Sequence, residues 1–150
     1  MKARTLSDTA VERVINGELP VNTSGQGLYK VTAPECEWVD VIGAKSGLLT
    51  LFVRHTTAGL TVQETTDPNV GRDLTDSLDR LAPTTLPYRH QDEGEDDMPS
   101  HIKASLMGAS VSLPVRDRLC CLGTWQAIYL TEHRMLPHSR GILLSFFGTI

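Results

Sequence analysis

The sequence predicts an α+β fold: a single compact domain with a largely antiparallel β-sheet or sandwich and about three helices. Three observations carry that prediction. Apolar, β-rich segments recur over 48–54, 58–63, 110–115, 119–123, 124–131 and 141–148. Helix openings stand at Thr32-Ala33-Pro34-Glu35, Asp67-Pro68 and Asp97-Met98-Pro99. Strands and helices do not alternate regularly, which argues against parallel βαβ units.

The elements follow in order. Residues 1–24 read as an N-terminal extension, in which Val11, Val14 and Ile15 suggest a short helix or strand and 19–25 a loop. The domain proper then spans 25–150. A short strand over 27–31 leads into a helix with Thr32 as N-cap and Glu35 completing a capping box. Cys36, Val39 and Ile42 share its apolar face, and Gly43 ends it. Leu48–Arg54 reads as a buried strand, and in the next one Leu60 and Val62 alternate with Thr61 and Gln63. Asp67 caps a helix whose apolar face is Val70, Leu74, Leu78 and Leu81, ended by Pro83 and Pro87. Asp97 caps the third helix, with Ile102 and Leu106 inward and Gly108 closing it. The remainder is β, with a turn at Arg116-Asp117-Arg118, and Trp125 reads as core.

With 40% hydrophobic and 21% charged residues, the composition is that of an ordinary globular domain. The formal charge of −4 has one source: residues 92–97 hold five acids in six positions, and without them 14 basic residues face 13 acidic ones. No basic stripe suits a nucleic-acid backbone, and no apolar run approaches the ~18 residues that cross a bilayer. Three cysteines, 36, 120 and 121, make no disulfide framework or zinc ribbon. With no apolar leader visible, they point to the cytoplasm, and the adjacent Cys120 and Cys121 read as buried free thiols.

The candidate chemistry lies in histidines and carboxylates. His55 sits at a strand end before Thr56 and Thr57, His90 borders the acidic loop, His101 lies in a first helical turn, and His133 ends an apolar strand. The positive end of a helix disfavours a protonated imidazole at His101, and a neutral imidazole is what a metal takes. Asp97 is explained as an N-cap, but a cap needs one acid, and the crowding around Asp96 suits a bound cation. Glu64 stands just past a strand end, close to Asp67. Thr124 and Gln126 share one face of their strand. Arg134 and Arg140 flank a Pro-His-Ser loop and can hold a phosphate, while His138 reads as surface. These pieces suit a polar pocket for a divalent metal or a phosphorylated small molecule.

Three blocks together resemble a known family. They are His55-Thr56-Thr57-Ala58 with Glu64 and Asp67-Pro68; Tyr88-Arg89-His90 with Asp96-Asp97-Met98-Pro99-Ser100-His101-Ile102-Lys103; and Leu122-Gly123-Thr124-Trp125-Gln126 with Glu132-His133-Arg134. Over residues 27–148 the chain resembles the YjbQ-like family, whose members are described as secondary thiamine-phosphate synthases. Its departures are Gln63 where Asn is usual, Arg116-Asp117-Arg118 where Asn-Gly is common, implying a longer hairpin loop, and Pro137-His138-Ser139-Arg140 in place of Gly-Gly-Ser-Arg.

The resemblance implies a compact α+β homotrimer that joins a pyrimidine pyrophosphate to a thiazole phosphate and releases pyrophosphate. The family's invariant polar positions fall on His55, Glu64, Asp67, His90, Asp96, Asp97, His101, Thr124, Gln126 and His133. The expected catalytic set is His55, Glu64, Asp96, Asp97 and His133. Thr56, Thr57, Thr124, Gln126 and Arg134 are expected to bind substrate. A divalent metal is expected, either zinc on His90, His101 and His133 or magnesium on Asp96 or Asp97. The alternative is a metal-dependent hydrolase, or a phosphate-binding protein, of unknown ligand.

Overall fold

The computed structural model describes residues 2–6 and 8–150. Its elements are β1 (Arg13–Thr23), β2 (Gly27–Lys30), α1 (Thr32–Val41), β3 (Ser46–Val53), β4 (Ala58–Glu64), α2 (Pro68–Leu81), α3 (Asp97–Met107), β5 (Ser110–Arg116), β6 (Leu119–Cys120), β7 (Gln126–Glu132) and β8 (His138–Thr149). The five-stranded sheet runs β1-β8-β3-β5-β6 and the three-stranded sheet β2-β7-β4. Every strand pair is antiparallel, as the irregular order of elements predicts.

The two sheets enclose one core. Leu49, Leu51 and Val53 of β3 and Ile142, Leu144 and Phe146 of β8 come from the larger sheet, and Leu60, Ile128 and Leu130 from the smaller. Val39 of α1 joins them at 0% exposure. Gly47 and Gly148 are register partners, and a Cβ on either would meet the facing backbone at 2.1–2.2 Å. The sheet closes over the Phe146 ring only because both lack a side chain.

Several expectations are corrected. The loop over 19–25 is instead the end of β1, and residues 13–23 pair with β8 along eleven positions. Burial alternates along β1, and Pro20 is tolerated because β1 is an edge strand. Met1 and Ser7 of the expected extension lie outside the described residues. Thr32 caps no helix: its hydroxyl accepts from Ile128 N at 2.8 Å, and Val31 is the N-cap without a side-chain bond. Asp97 is likewise no cap; it is the first residue of α3, so His101 lies in the second turn. Leu81 is 67% and Leu106 59% exposed, so the apolar face of α2 ends at Leu78 and α3 turns polar groups inward. Residues 123–125 form a turn closed by Gln126 N–H on Gly123 O, which leaves Trp125 61% exposed.

The β5–β6 hairpin has a two-residue loop, not a longer one, because Arg116 pairs with Leu119. Asp117 and Arg118 both take left-handed φ, 51° and 65°, and their N–H groups donate to Lys45 O and Ala44 O. Cys121 is exposed rather than buried. The cap at Asp67 holds: its Oδ1 accepts from Asn69 N at 2.9 Å.

Candidate functional site: a His90–Asp97–His101 cluster beside a cleft

Chain exits from both sheets meet the start of α3. β3 ends two residues before His55, and β7 ends at Glu132, next to His133 and Arg134. Ser100 ties these parts together, since its hydroxyl lies 2.8 Å from His133 O and 2.6 Å from Asp96 O. It is 0% exposed.

Asp97 is the centre of the arrangement and is 1% exposed. Its Oδ2 lies 2.6 Å from His90 Nε2 and 3.3 Å from His101 Nε2. Asp97 and His101 are four residues apart on one helical face, so they converge without loop adjustment. Donor atoms of His90, Asp97 and His101 all lie within 4.8 Å of one another. The other carboxylate oxygen of Asp97 pairs with Arg134 Nη1. Arg134 also donates to Asp96 Oδ2 at 3.2 Å and to Glu93 O at 2.8 Å. The acidic loop turns at Gly94, φ 106°, so that this carbonyl can be reached. Burial pushes the Asp96 carboxyl up, but Met135 N–H and the Arg134 guanidinium more than reverse it and hold it below the usual range.

Two imidazoles and a carboxylate on converging atoms fit a borderline metal such as zinc better than magnesium, which prefers oxygen donors. The three would leave a coordination position open. His133, expected among the ligands, does not join His90 and His101; Asp97 takes its place. The readable signal was the four-residue spacing of Asp97 and His101, masked by the reading of Asp97 as a cap.

His101 also lines a cleft of about 530 Å³ with His55, Thr56, Ala104, Ser105 and Gly108. His55 Nε2 accepts from Gly141 N at 3.1 Å, which requires a lone pair there and leaves the proton on Nδ1. Burial first, then the Arg140 charge, lowers its pKa and so favours that neutral form. Thr57, expected to bind substrate, is buried instead, with its hydroxyl accepting from Arg140 Nη2 at 3.0 Å. Arg140 itself is 5% exposed and doubly bonded to Glu132, and so is not free for phosphate. Burial raises Glu132, and the Arg140, Arg134 N–H and Thr23 bonds outweigh it and lower its pKa.

The other expected residues separate. Glu64 and Gln126 are register partners six positions along β4 and β7 from the Ala58–Glu132 pair. At ~3.3 Å per residue that places them about 20 Å from the histidine end. Glu64 accepts from Asp67 N–H, and Gln126 Oε1 accepts from Gly123 N–H beside exposed Thr124. His133 is 2% exposed and faces a second cleft with Asp79 and Lys103. Burial, then the Lys103 charge, lowers its pKa to about 4. Sequence reasoning missed Lys103 and Asp79; a lysine between Ile102 and Ala104 on the inward face of α3 was the available signal.

Comparison with known proteins agrees with this fold. The family model described as UPF0047 protein YjbQ-like matches residues 17–149. A UPF0047 protein of Synechocystis is 38% identical over 146 residues, covering 97% of this chain and 99% of the relative. UPF0047 protein YjbQ of Escherichia coli O157:H7 is 40% identical over 131 residues, covering 87% and 95%. The crystal structure of a YbjQ-like protein of unknown function from Sulfolobus solfataricus superposes with a TM-score of 0.84 at 25% identity, covering 91% of this chain and 99% of that one. A Clostridium acetobutylicum structure of the yjbq/upf0047 family gives 0.79 at 37% identity, covering 86% and 98%. No helix among the described residues is long and apolar enough to cross a membrane. By sequence along nearly its whole length and by fold, the chain belongs to the UPF0047 YjbQ-like family.

Proposed function

We propose that the protein is a metal-dependent enzyme of the thiamine-phosphate synthase type, transferring a pyrimidine from its pyrophosphate to a thiazole phosphate. The single observation that carries the metal dependence is the convergence of His90, Asp97 and His101. A divalent ion held there supplies a Lewis acid for the oxygens of a leaving pyrophosphate. His55 and Thr56 line the cleft that His101 also lines, and their polar groups bind and orient a phosphorylated substrate there. Arg134 is a positioning residue: its ion pairs fix Asp97 and Asp96 and keep two neighbouring carboxylates in place.

A second reading, a metal-dependent hydrolase, is favoured by one feature. Three protein ligands leave a position for water, as in catalytic zinc sites. Either reading is proposed for a homotrimer. Val14, Phe147 and Leu48 form an exposed apolar row across β1, β8 and β3, suited to burial between copies. The distance of Glu64, Thr124 and Gln126 from the histidines fits a site completed by a neighbouring copy. A cytoplasmic setting suits the three free thiols.

Elemental mass spectrometry of tag-free protein tests the metal. Near-stoichiometric zinc in wild type and in His133→Ala, but not in His101→Ala, supports the cluster. A wild type free of transition metal after zinc supplementation overturns it. Pyrophosphate release from the two-substrate mixture, lost in His101→Ala, supports transfer. Phosphate or pyrophosphate release that needs no thiazole phosphate moves the assignment to the hydrolase.

A further inference from the structure

A second cleft, about 290 Å³, is lined by Gln26, Asp79, Thr84, Asp96, Lys103 and His133. It shares no residue with the His55–His101 cleft. Lys103 is 4% exposed, and its Nζ has one protein partner among the described residues, Asp79 Oδ1 at 2.5 Å. An ammonium carries three donors, so two are unused. The partner is unusual for so buried a cation, because the Asp79 side chain is 47% exposed and reaches in from α2. Its Oδ1 also accepts from Gln26 Nε2 at 2.7 Å.

His133 Nε2 lies 3.3 Å from Thr131 Oγ1. In the tautomer in which the Thr131 hydroxyl donates to Nε2, the imidazole proton lies on Nδ1 and is free for a ligand. Among the described residues no protein group bonds Nδ1, yet the only enclosed side-chain polar atoms without a partner there are the Glu35 oxygens. Nδ1 therefore keeps access to open space. Asp96, the other acid on the wall, already receives Arg134 and Met135 N–H. The wall thus offers ammonium, imidazole and amide donors, and the one carboxylate among them without a cation of its own beyond Lys103 is Asp79.

We propose that this cleft binds a small oxyanion, a phosphate or carboxylate group, held by Lys103 Nζ, His133 Nδ1–H and Gln26 Nε2, and that Asp79 stands in for it in the unliganded chain. Binding neutralises Lys103 from the ligand side and releases Asp79 to water, where a half-exposed carboxylate loses little. A cation left without either partner would be costly, so one anion or the other occupies the position. The site uses none of the three candidate metal ligands, and its test is run without metal.

Titration calorimetry on tag-free protein in EDTA and phosphate-free buffer, with inorganic phosphate in one arm and malonate in the other, tests the site. Saturable binding in either arm is expected, and the arm that binds names the chemistry. Asp79→Asn keeps the shape and removes the competing charge, so affinity rises about tenfold. Lys103→Met abolishes binding; should it not fold by circular dichroism, His133→Leu serves, with a loss of about tenfold. No saturable binding of either anion by wild type and Asp79→Asn overturns the site. Undiminished binding in the folded variants overturns its placement, and unchanged affinity in Asp79→Asn overturns the stand-in.

Discussion

Asp97 and Glu35 are both acids in the first turn of a helix, and both are almost fully buried, at 1% and 0% exposure. Asp97 is met by His90, His101 and Arg134. Glu35 is met by nothing: both its oxygens are enclosed without a hydrogen-bond partner among the described residues. Burial, and then its neighbour Cys36, push the Glu35 pKa up to about 8. A carboxyl group can thus be kept in a core by supplying partners or by keeping its proton. Only the first solution fixes the directions of several side chains at once, and that convergence is what a binding centre needs.

The sharpest test of the contrast is pH. Between pH 4.5 and about 8 the unfolded chain has released the Glu35 proton while the folded chain retains it. Stability therefore falls as pH rises through that window and levels off above it, by on the order of 5 kcal/mol. Glu35→Gln should match wild type near pH ~5 and be more stable near pH ~9. Equal urea midpoints at the higher pH would break the contrast. Next in size, Arg134→Met leaves two carboxylates without their cation and should cost about 3 kcal/mol in the same unfolding measurement. Asp97→Asn should weaken zinc binding by about 100-fold in a chelator competition, whereas Glu35→Gln leaves it unchanged. The smallest effect is expected at Asp67→Ala, which removes a cap remote from both acids. It should cost about 1 kcal/mol and leave the zinc content as it was.

The elements that sequence reasoning located are those whose signals are local. Asp67-Pro68 caps α2 as expected, and the alternation around Leu60 marks β4. It failed where a local signal served a distant partner. Thr32 and Glu35 carry the spacing of a capping box, yet Thr32 bonds Ile128, 96 residues away, and Glu35 turns into the core. Pro20 hid β1, because whether proline is tolerated depends on edge position, and strand order is a property of the whole fold. Within the site, His55, His90, His101, Asp96, Asp97 and Arg134 do lie near one another, in two adjoining groups. The division between clefts was illegible: His133 and Arg134 are neighbours in sequence, but His133 faces Lys103 while Arg134 faces Asp97. Adjacent residues on an extended segment point to opposite sides, and nothing local says which side holds the chemistry.

The place of β8 has a consequence for the order of synthesis. It lies between β1 and β3, and it carries Arg140, whose guanidinium neutralises Glu132 beneath the histidine end of β7. A nascent chain that has not yet emitted residues 138–149 holds β1 without a partner and β3 with one edge open. At roughly 5–20 residues per second, those edges stay unpaired for several seconds after β3 leaves the ribosome. The larger sheet then closes in a late, long-range step of the kind that folds slowly. Until it does, β1 and β3 are strand templates open to other nascent chains.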